Sequence, residues 1–328
     1  MNKPELNDIT IEITNHCQLH CQHCGIWAEE ERHEMSASMV VRMMRELLER
    51  YKIYFVSITG GEPFLNRNCG RLLKAMSIFR ERGEISGFGV YSNAAYFEGV
   101  RRAFSAYGQY LHGMEIGISI DGGQEMHDRL RGAGAYQKTL KTIEWLAENF
   151  GNSIILEFKF TINLLNYAEL GDVYRLARRF KAQFSPKIME SGVADYYHRH
   201  QMPDTDTLAA LTPEMIADVR GQVTRMLNDE YPGVDRQLVE AMMVLLAGGR
   251  KCIRACATPA RTLFINSRRN VYPCLYLPPA GKVGVDGKLP EALDSVRQKH
   301  ADDAMQGNCP GCFAYHGFLK KFNLEYLQ

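Results

Sequence analysis

The chain has 328 residues, 45% of them hydrophobic, enough for a sizeable buried core and for more than one domain. Its 39 Lys+Arg against 38 Asp+Glu leave a formal net charge of +1, so no bulk field draws it to nucleic acid or to an anionic membrane. Residues 1–6 carry no apolar export segment, and no run approaches the roughly 18 to 20 apolar residues of a membrane span, so the expectation is a soluble, unexported, cytoplasmic protein. Nine cysteines in such a chain are too clustered for a disulfide framework and point to metal.

In chain order, residues 9–14 alternate β-branched and polar side chains, which predicts a strand. Three cysteines follow at once, Cys17, Cys21 and Cys24, in C-x3-C-x2-C spacing. Met39, Val40, Met43, Met44, Leu47 and Leu48 recur at helical spacing across 38–51. A second strand, 53–59, runs into Gly60-Gly61-Glu62-Pro63. Helices over 71–82, 97–106, 136–149 and 167–180 then alternate with strands over 85–91, 114–120, 154–162 and, more weakly, 187–190. Such alternation describes a parallel sheet whose reactive loops lie at the strand C-termini, whether the sheet is open or curled into a barrel. The cysteine loop, the Gly-Gly-Glu-Pro loop, Ser92-Asn93 and Asp121-Gly122-Gly123 all fall at that edge.

Residues 185–206 are rich in Tyr and His and are candidates to line a substrate entrance; two helices, 213–228 and 235–246, follow. From Lys251 the composition changes: five of the nine cysteines lie in the last 78 residues, with two short strands, 261–266 and 270–272, in place of regular helices. The expected domains are therefore 1–210, a helical linker over 211–250, and a cysteine-rich unit over 251–328.

A cubane iron-sulfur cluster takes four thiolates, and a loop offering three leaves one iron open for chemistry. On ligand types alone, a zinc site completed by His16, His20 or His23 is the alternative. The Gly-Gly-Glu-Pro run reads by itself as a turn. Beside an open-iron cluster, its glycines allow close approach of a ligand and Glu62 can hold an ammonium group.

These two motifs, with Ser119-Ile120-Asp121-Gly122 and His127-Asp128-Arg129-Leu130-Arg131-Gly132, resemble the radical S-adenosylmethionine (SAM) superfamily, in its branch with a C-terminal SPASM or twitch extension. The resemblance implies an α/β fold, a partial (β/α)6 barrel with a small cysteine-rich auxiliary-cluster domain. It implies that Cys17, Cys21 and Cys24 hold a 4Fe-4S cluster whose open iron chelates SAM, reductive cleavage of which yields a 5′-deoxyadenosyl radical. Gly60, Gly61 and Glu62, with Pro63, match the methionine-amine site; Ser119 and Asp121 match the segment near the methionine and ribose, and Ser92 and Asn163 are further cofactor-binding candidates. The residue before the third cysteine is usually aromatic in this family; His23 departs from that, while still able to stack near adenine.

Cys256 and Cys274 bracket an expected hairpin, and Cys309-Pro310-Gly311-Cys312 is a C-x2-C turn. A zinc ribbon is one reading of these four. The resemblance implies instead one auxiliary 4Fe-4S cluster ligated by Cys256, Cys274, Cys309 and Cys312, with Cys252 able to exchange roles with Cys256. Cys69 reads as a buried thiol. The implied reaction is an oxidative modification of a peptide or protein side chain, with an external one-electron donor such as flavodoxin or ferredoxin. Dehydrogenation of an aminocyclitol or sugar is the alternative, and a non-enzymatic iron-sulfur or zinc redox sensor a further one. Oxidation needs a proton acceptor, for which Asp195 is the positional candidate. With a strand already beginning at Ile9, no N-terminal peptide-recognition domain is expected.

Overall fold

Alternating side chains in β1 (Glu5–Glu12) place Ile9 and Ile11 on one face and Asp8, Thr10 and Glu12 on the other, and this division runs through the whole sheet. The computed structural model describes residues 3–189, 210–229, 231–248 and 258–306. After β1 come α1 (Ala37–Arg50), β2 (Lys52–Thr59), α2 (Cys69–Glu81), β3 (Ile85–Ser92), α3 (Phe97–Tyr107), β4 (Glu115–Ser119), α4 (Gln124–Arg131), α5 (Ala135–Phe150), β5 (Ile155–Ile162), α6 (Leu170–Arg179) and β6 (Gln183–Ile188). Then follow α7 (Pro213–Leu227), α8 (Arg236–Gly248), α9 (Thr258–Arg261), β7 (Thr262–Ile265), β8 (Asn270–Tyr272), β9 (Gly281–Lys282) and α10 (Leu293–Met305).

The strands form one nine-stranded sheet in the order β6-β5-β4-β3-β2-β1-β7-β8-β9. The first six are parallel and in sequence order, the arrangement of an open (β/α)6 barrel. One face, with Ile9, Ile11, Val56, Ile58, Phe88, Val90, Ile116 and Phe158, is buried in the main core together with the apolar sides of the helices. Helix α1 shows how: Ser36 caps its N-terminus by accepting from Met39 N, and Met39, Val40, Met43, Met44 and Leu47 form its buried stripe. The register sets the opposite residues, Asp8, Ser57, Tyr91, Glu115, Ser119, Glu157, Lys159 and Ser185, on the barrel's inner face. Among the described residues no helix is long and apolar enough to cross a membrane.

Strand β7 adds to the free side of β1 in parallel, and β8 and β9 continue as an antiparallel meander. The hairpin expected between Cys256 and Cys274 is β7–β8. The absence of regular helices expected after 251 is corrected by α10, which packs on α9 and the Tyr51 end of α1. Its buried side includes Arg297, which bonds Ala260 O and lies over the Tyr51 ring, so no apolar period announces it. The sixth strand starts four residues earlier than expected, at Gln183 rather than Lys187; Pro186 sits within it because β6 is an edge strand with no ladder partner for that position beyond β5.

The turn after β7 is tied to β1 by a polar contact. Buried Glu12 accepts from Ser267 N at 2.9 Å and from the Ser267 hydroxyl. Burial, opposed by these bonds, raises the Glu12 carboxyl to about 7. Relative to its ordinary value of 4.5, Glu12 therefore costs folding stability as pH rises through the window up to about 7, and the Ser267 bonds offset part of that cost above it. Ser267→Ala should destabilise by about 1–3 kcal/mol, more at pH 8 than at pH 5, with Ser267→Thr restoring most of it in urea unfolding. An unchanged midpoint at pH 8 would remove the hairpin hydroxyl from the account of stability.

Candidate active site

The loop after β1 is held from four sides. His16 N donates to Thr14 Oγ1 at 3.1 Å, Gln18 Nε2 to Asn93 Oδ1 at 2.9 Å, Gln22 N to Leu130 O at 2.9 Å, and Trp27 Nε1 to Cys21 O at 3.2 Å. Cys17, Cys21 and Cys24 are free thiols on this loop. Burial pushes the Cys17 and Cys24 thiols up to about 12 and raises Cys21 as well, so thiolates here need a positive partner. Among the described residues no three His, Cys, Asp or Glu side chains converge on one ion position, as a mononuclear zinc site requires. A four-iron cubane instead spreads its thiolates over separate irons.

Gly60-Gly61-Glu62-Pro63 meets this loop directly. Gly61 N donates to Thr14 O at 2.8 Å and Glu62 N to His16 O at 2.7 Å. A Cβ at Gly60 would lie 2.6 Å from Thr14 O, and one at Gly61 2.4 Å from His16 O. The glycines are thus required by the contact between two backbones rather than by a turn of positive φ. Pro63 opens a short 3-10 turn, Pro63–Leu65.

That turn leaves Glu62 fully buried. Its carboxylate accepts from Ser92 Oγ at 2.8 and 3.0 Å, Phe64 N at 3.1 Å and Asn93 N at 2.9 Å. Burial outweighs these donors and raises the carboxyl to about 7. Asn93 also reaches Cys17, with Nδ2 3.6 Å from the sulfur. Spacing in the sequence gives no sign of this joint, because Ser92-Asn93, Glu62 and Cys17 come from three different strand ends.

At the end of β4, Asp121 is fully buried and accepts from Arg131 Nε at 2.6 Å, while His23 Nε2 lies 3.6 Å from the same oxygen. Burial works against the Asp121 carboxylate, yet the Arg131 guanidinium outweighs it and holds the pKa below its ordinary value. His127 Nδ1 accepts from Asp121 N at 3.2 Å, and burial, reinforced by Arg131, pushes its imidazole down to about 4, so it is neutral with the proton on Nε2. Helix α4 escaped the sequence reading because its buried residues are His127, Leu130 and Arg131. Both polar ones stood in the motif segment without a role.

Ser119 lies half-buried beside this group on the inner face. Asn163, buried at the end of β5, accepts on Oδ1 from Leu165 N and Asn166 N, and its Nδ2 has no hydrogen-bond partner among the described residues. Asn166 ties it to Asp121 by donating to Asp121 O at 3.2 Å. Cys69 is buried at the start of α2, as expected. Cys274 is buried just after β8; Asp195, Cys252, Cys256, Cys309 and Cys312 lie outside the described residues.

The open parallel barrel thus carries three free thiols, a buried carboxylate and a buried acid-arginine pair at its strand C-termini. The Radical SAM superfamily model matches residues 11–179, and the chain belongs to that superfamily. Among curated proteins it is 28% identical over 166 residues, 50% of this chain and 38% of the relative, to the sporulation killing factor maturation protein SkfB of Bacillus subtilis. The match therefore spans well under half of that relative's length. Streptococcus suis SuiB bound to its precursor peptide SuiA superposes with a TM-score of 0.62 at 16% identity, covering 98% of this chain and 68% of SuiB. The structure of anSMEcpe with bound AdoMet and the Cp18Cys peptide superposes with a TM-score of 0.62 at 15% identity, covering 92% and 84%. At these identities the two structures establish the shared fold. Superfamily membership implies one 4Fe-4S cluster and SAM.

Proposed function

We propose that the protein oxidatively modifies a peptide or protein side chain, using a SAM-binding 4Fe-4S cluster at Cys17, Cys21 and Cys24 and an auxiliary 4Fe-4S cluster at Cys256, Cys274, Cys309 and Cys312. The observation that carries the cofactor site is the joint at Asn93, whose backbone N–H binds the Glu62 carboxylate while its side chain reaches the Cys17 sulfur. A cofactor amine on Glu62 and a cluster on Cys17 would then be neighbours. When bound, the cluster and SAM would supply radical hydrogen-atom abstraction at the substrate, and an auxiliary cluster would supply an acceptor for the second electron.

The chain's own residues do the positioning. Glu62, its carboxylate oriented by Ser92 and two backbone donors, would hold the ammonium. Asp121 and Ser119 would serve the methionine and ribose portion, Asn163 Nδ2 would supply a further donor, and His23, beside Asp121, would stack near the adenine. Asp195 remains the candidate for taking the substrate proton. An external flavodoxin- or ferredoxin-like protein supplies the electron, in a reducing, cytoplasmic setting that keeps the thiols free.

The peptide assignment is supported by what the similar proteins handle: SkfB is a maturation protein, and SuiB and anSMEcpe bind peptides. Reconstituted enzyme with reductant and SAM should remove two hydrogen atoms from a peptide encoded beside its gene, read by mass spectrometry. The same loss from an aminocyclitol, with the peptides unchanged, would replace the peptide substrate by a small molecule.

A further inference from the structure

Arg131 ends α4 and is 7% exposed. Its Nε donates to Asp121 at 2.6 Å, and its Nη1 lies 4.0 Å from the Cys21 sulfur. The helix end that carries it is fastened to the cysteine loop beside that contact: Gln22 N donates to Leu130 O and Gln22 Nε2 to Arg129 O, both at 2.9 Å. With its backbone so fixed, the guanidinium cannot swing away from Cys21 without breaking a buried ion pair. The cofactor site above uses Asp121 and leaves this cation, aimed at a ligand sulfur, without a role.

We propose that Arg131 is a positioning residue that holds a fixed positive charge against the Cys21 sulfur and thereby makes the cluster on Cys17, Cys21 and Cys24 easier to reduce; this rests on the cluster assignment above. One-electron reduction adds a negative charge to the cluster, and a cation held beside a ligand sulfur favours that more negative state. Burial keeps the interaction from being screened by salt. Asp121 opposes part of the effect, since its carboxylate lies on the other side of the same guanidinium, and His23 adds a third group against that carboxylate. His127, neutral, adds no charge. The two members of the ion pair thus pull the cluster potential in opposite directions, which a purely structural brace would not do.

The test is a potentiometric titration of the full chain, reconstituted anaerobically and without SAM, followed by the electron paramagnetic resonance signal that the triple alanine variant of Cys17, Cys21 and Cys24 lacks. Iron per chain is measured in parallel. Arg131→Met should make reduction at least about tenfold less favourable, which is about 59 mV for a one-electron couple. Arg131→Lys should recover most of the shift, and Asp121→Asn should move the potential the opposite way. Arg131→Met that binds iron normally and titrates like the wild type overturns the proposal, as does Arg131→Lys shifted as far as Arg131→Met. Should Arg131→Met take up no iron, Asp121→Asn decides: a potential equal to or below that of the wild type overturns it. Wild-type protein with no such signal overturns the cluster assignment itself, and a normal signal with unshifted variants leaves that assignment standing while removing this one.

Discussion

Replacing Cys17, Cys21 and Cys24 together with alanine should reduce SAM cleavage to the level of a reaction without enzyme. The loop is otherwise held by bonds that do not involve the thiols: Gln18 to Asn93, Gln22 to Leu130, Trp27 to the Cys21 carbonyl. The barrel should therefore stay folded. If the proposed auxiliary cluster is ligated from a different part of the chain, about four irons should remain per chain after reconstitution. Cys309→Ala should do the reverse, sparing cleavage uncoupled from substrate while impairing turnover or folding, since metal bound at such sites contributes to folding. Equal loss of cleavage in both variants would show that the two cysteine groups are not independent.

Glu62→Gln is the second large effect. The amide oxygen can accept from only one of the two backbone donors, since Phe64 N bonds Oε1 and Asn93 N bonds Oε2, so a modest loss of stability is expected with iron content unchanged. What it loses is the charge opposite the cofactor ammonium, in a site with no exposure to water. Loss of one partner of such a pair should weaken SAM binding by about a hundredfold, about 2.7 kcal/mol. The pH dependence has a definite sign. With the carboxyl raised to about 7 in the free protein, binding the ammonium requires the deprotonated form, so wild-type affinity should fall as pH drops below about 7. Glu62→Gln should show none of that dependence. Isothermal titration of the reconstituted, oxidised protein with SAM at pH 6 and pH 8 reads both, and a wild-type affinity flat across that range would remove Glu62 from the amine site.

Much of the barrel was legible because its signals are local. Period-two runs gave β1 to β5 within a few residues, and the apolar stripes of α1, α2, α3 and α5 gave the crossovers. Of the helices that escaped, α4 and α10 bury Arg131 and Arg297 where a core helix would bury Leu, so their periodicity is invisible on a hydrophobic scale. The two-residue β9 has no pattern to read. At the site, the thiols, Gly60, Gly61 and Glu62 were marked by motif spacing, but the reason for the glycines was not: it lies in the carbonyls of Thr14 and His16 on a neighbouring loop. Asn93 and Arg131 illustrate the same limit. Each acts across strand ends, and their partners Cys17, Glu62 and Cys21 are far from them in the chain.

His23 changes meaning in the structure. As a departure from the aromatic residue usual at its position it carried only a stacking possibility; in the structure its Nε2 lies 3.6 Å from the acid that Arg131 already holds. The cysteine loop, the β4 loop and the end of α4 are thereby one connected unit.

The central assignment is most directly tested by adding SAM to the anaerobically reconstituted, chemically reduced wild-type chain and separating the products. Formation of 5′-deoxyadenosine and methionine in equal amounts, dependent on both reductant and iron, is the expected result. Protein that carries zinc in place of iron and leaves SAM intact under reduction would contradict it.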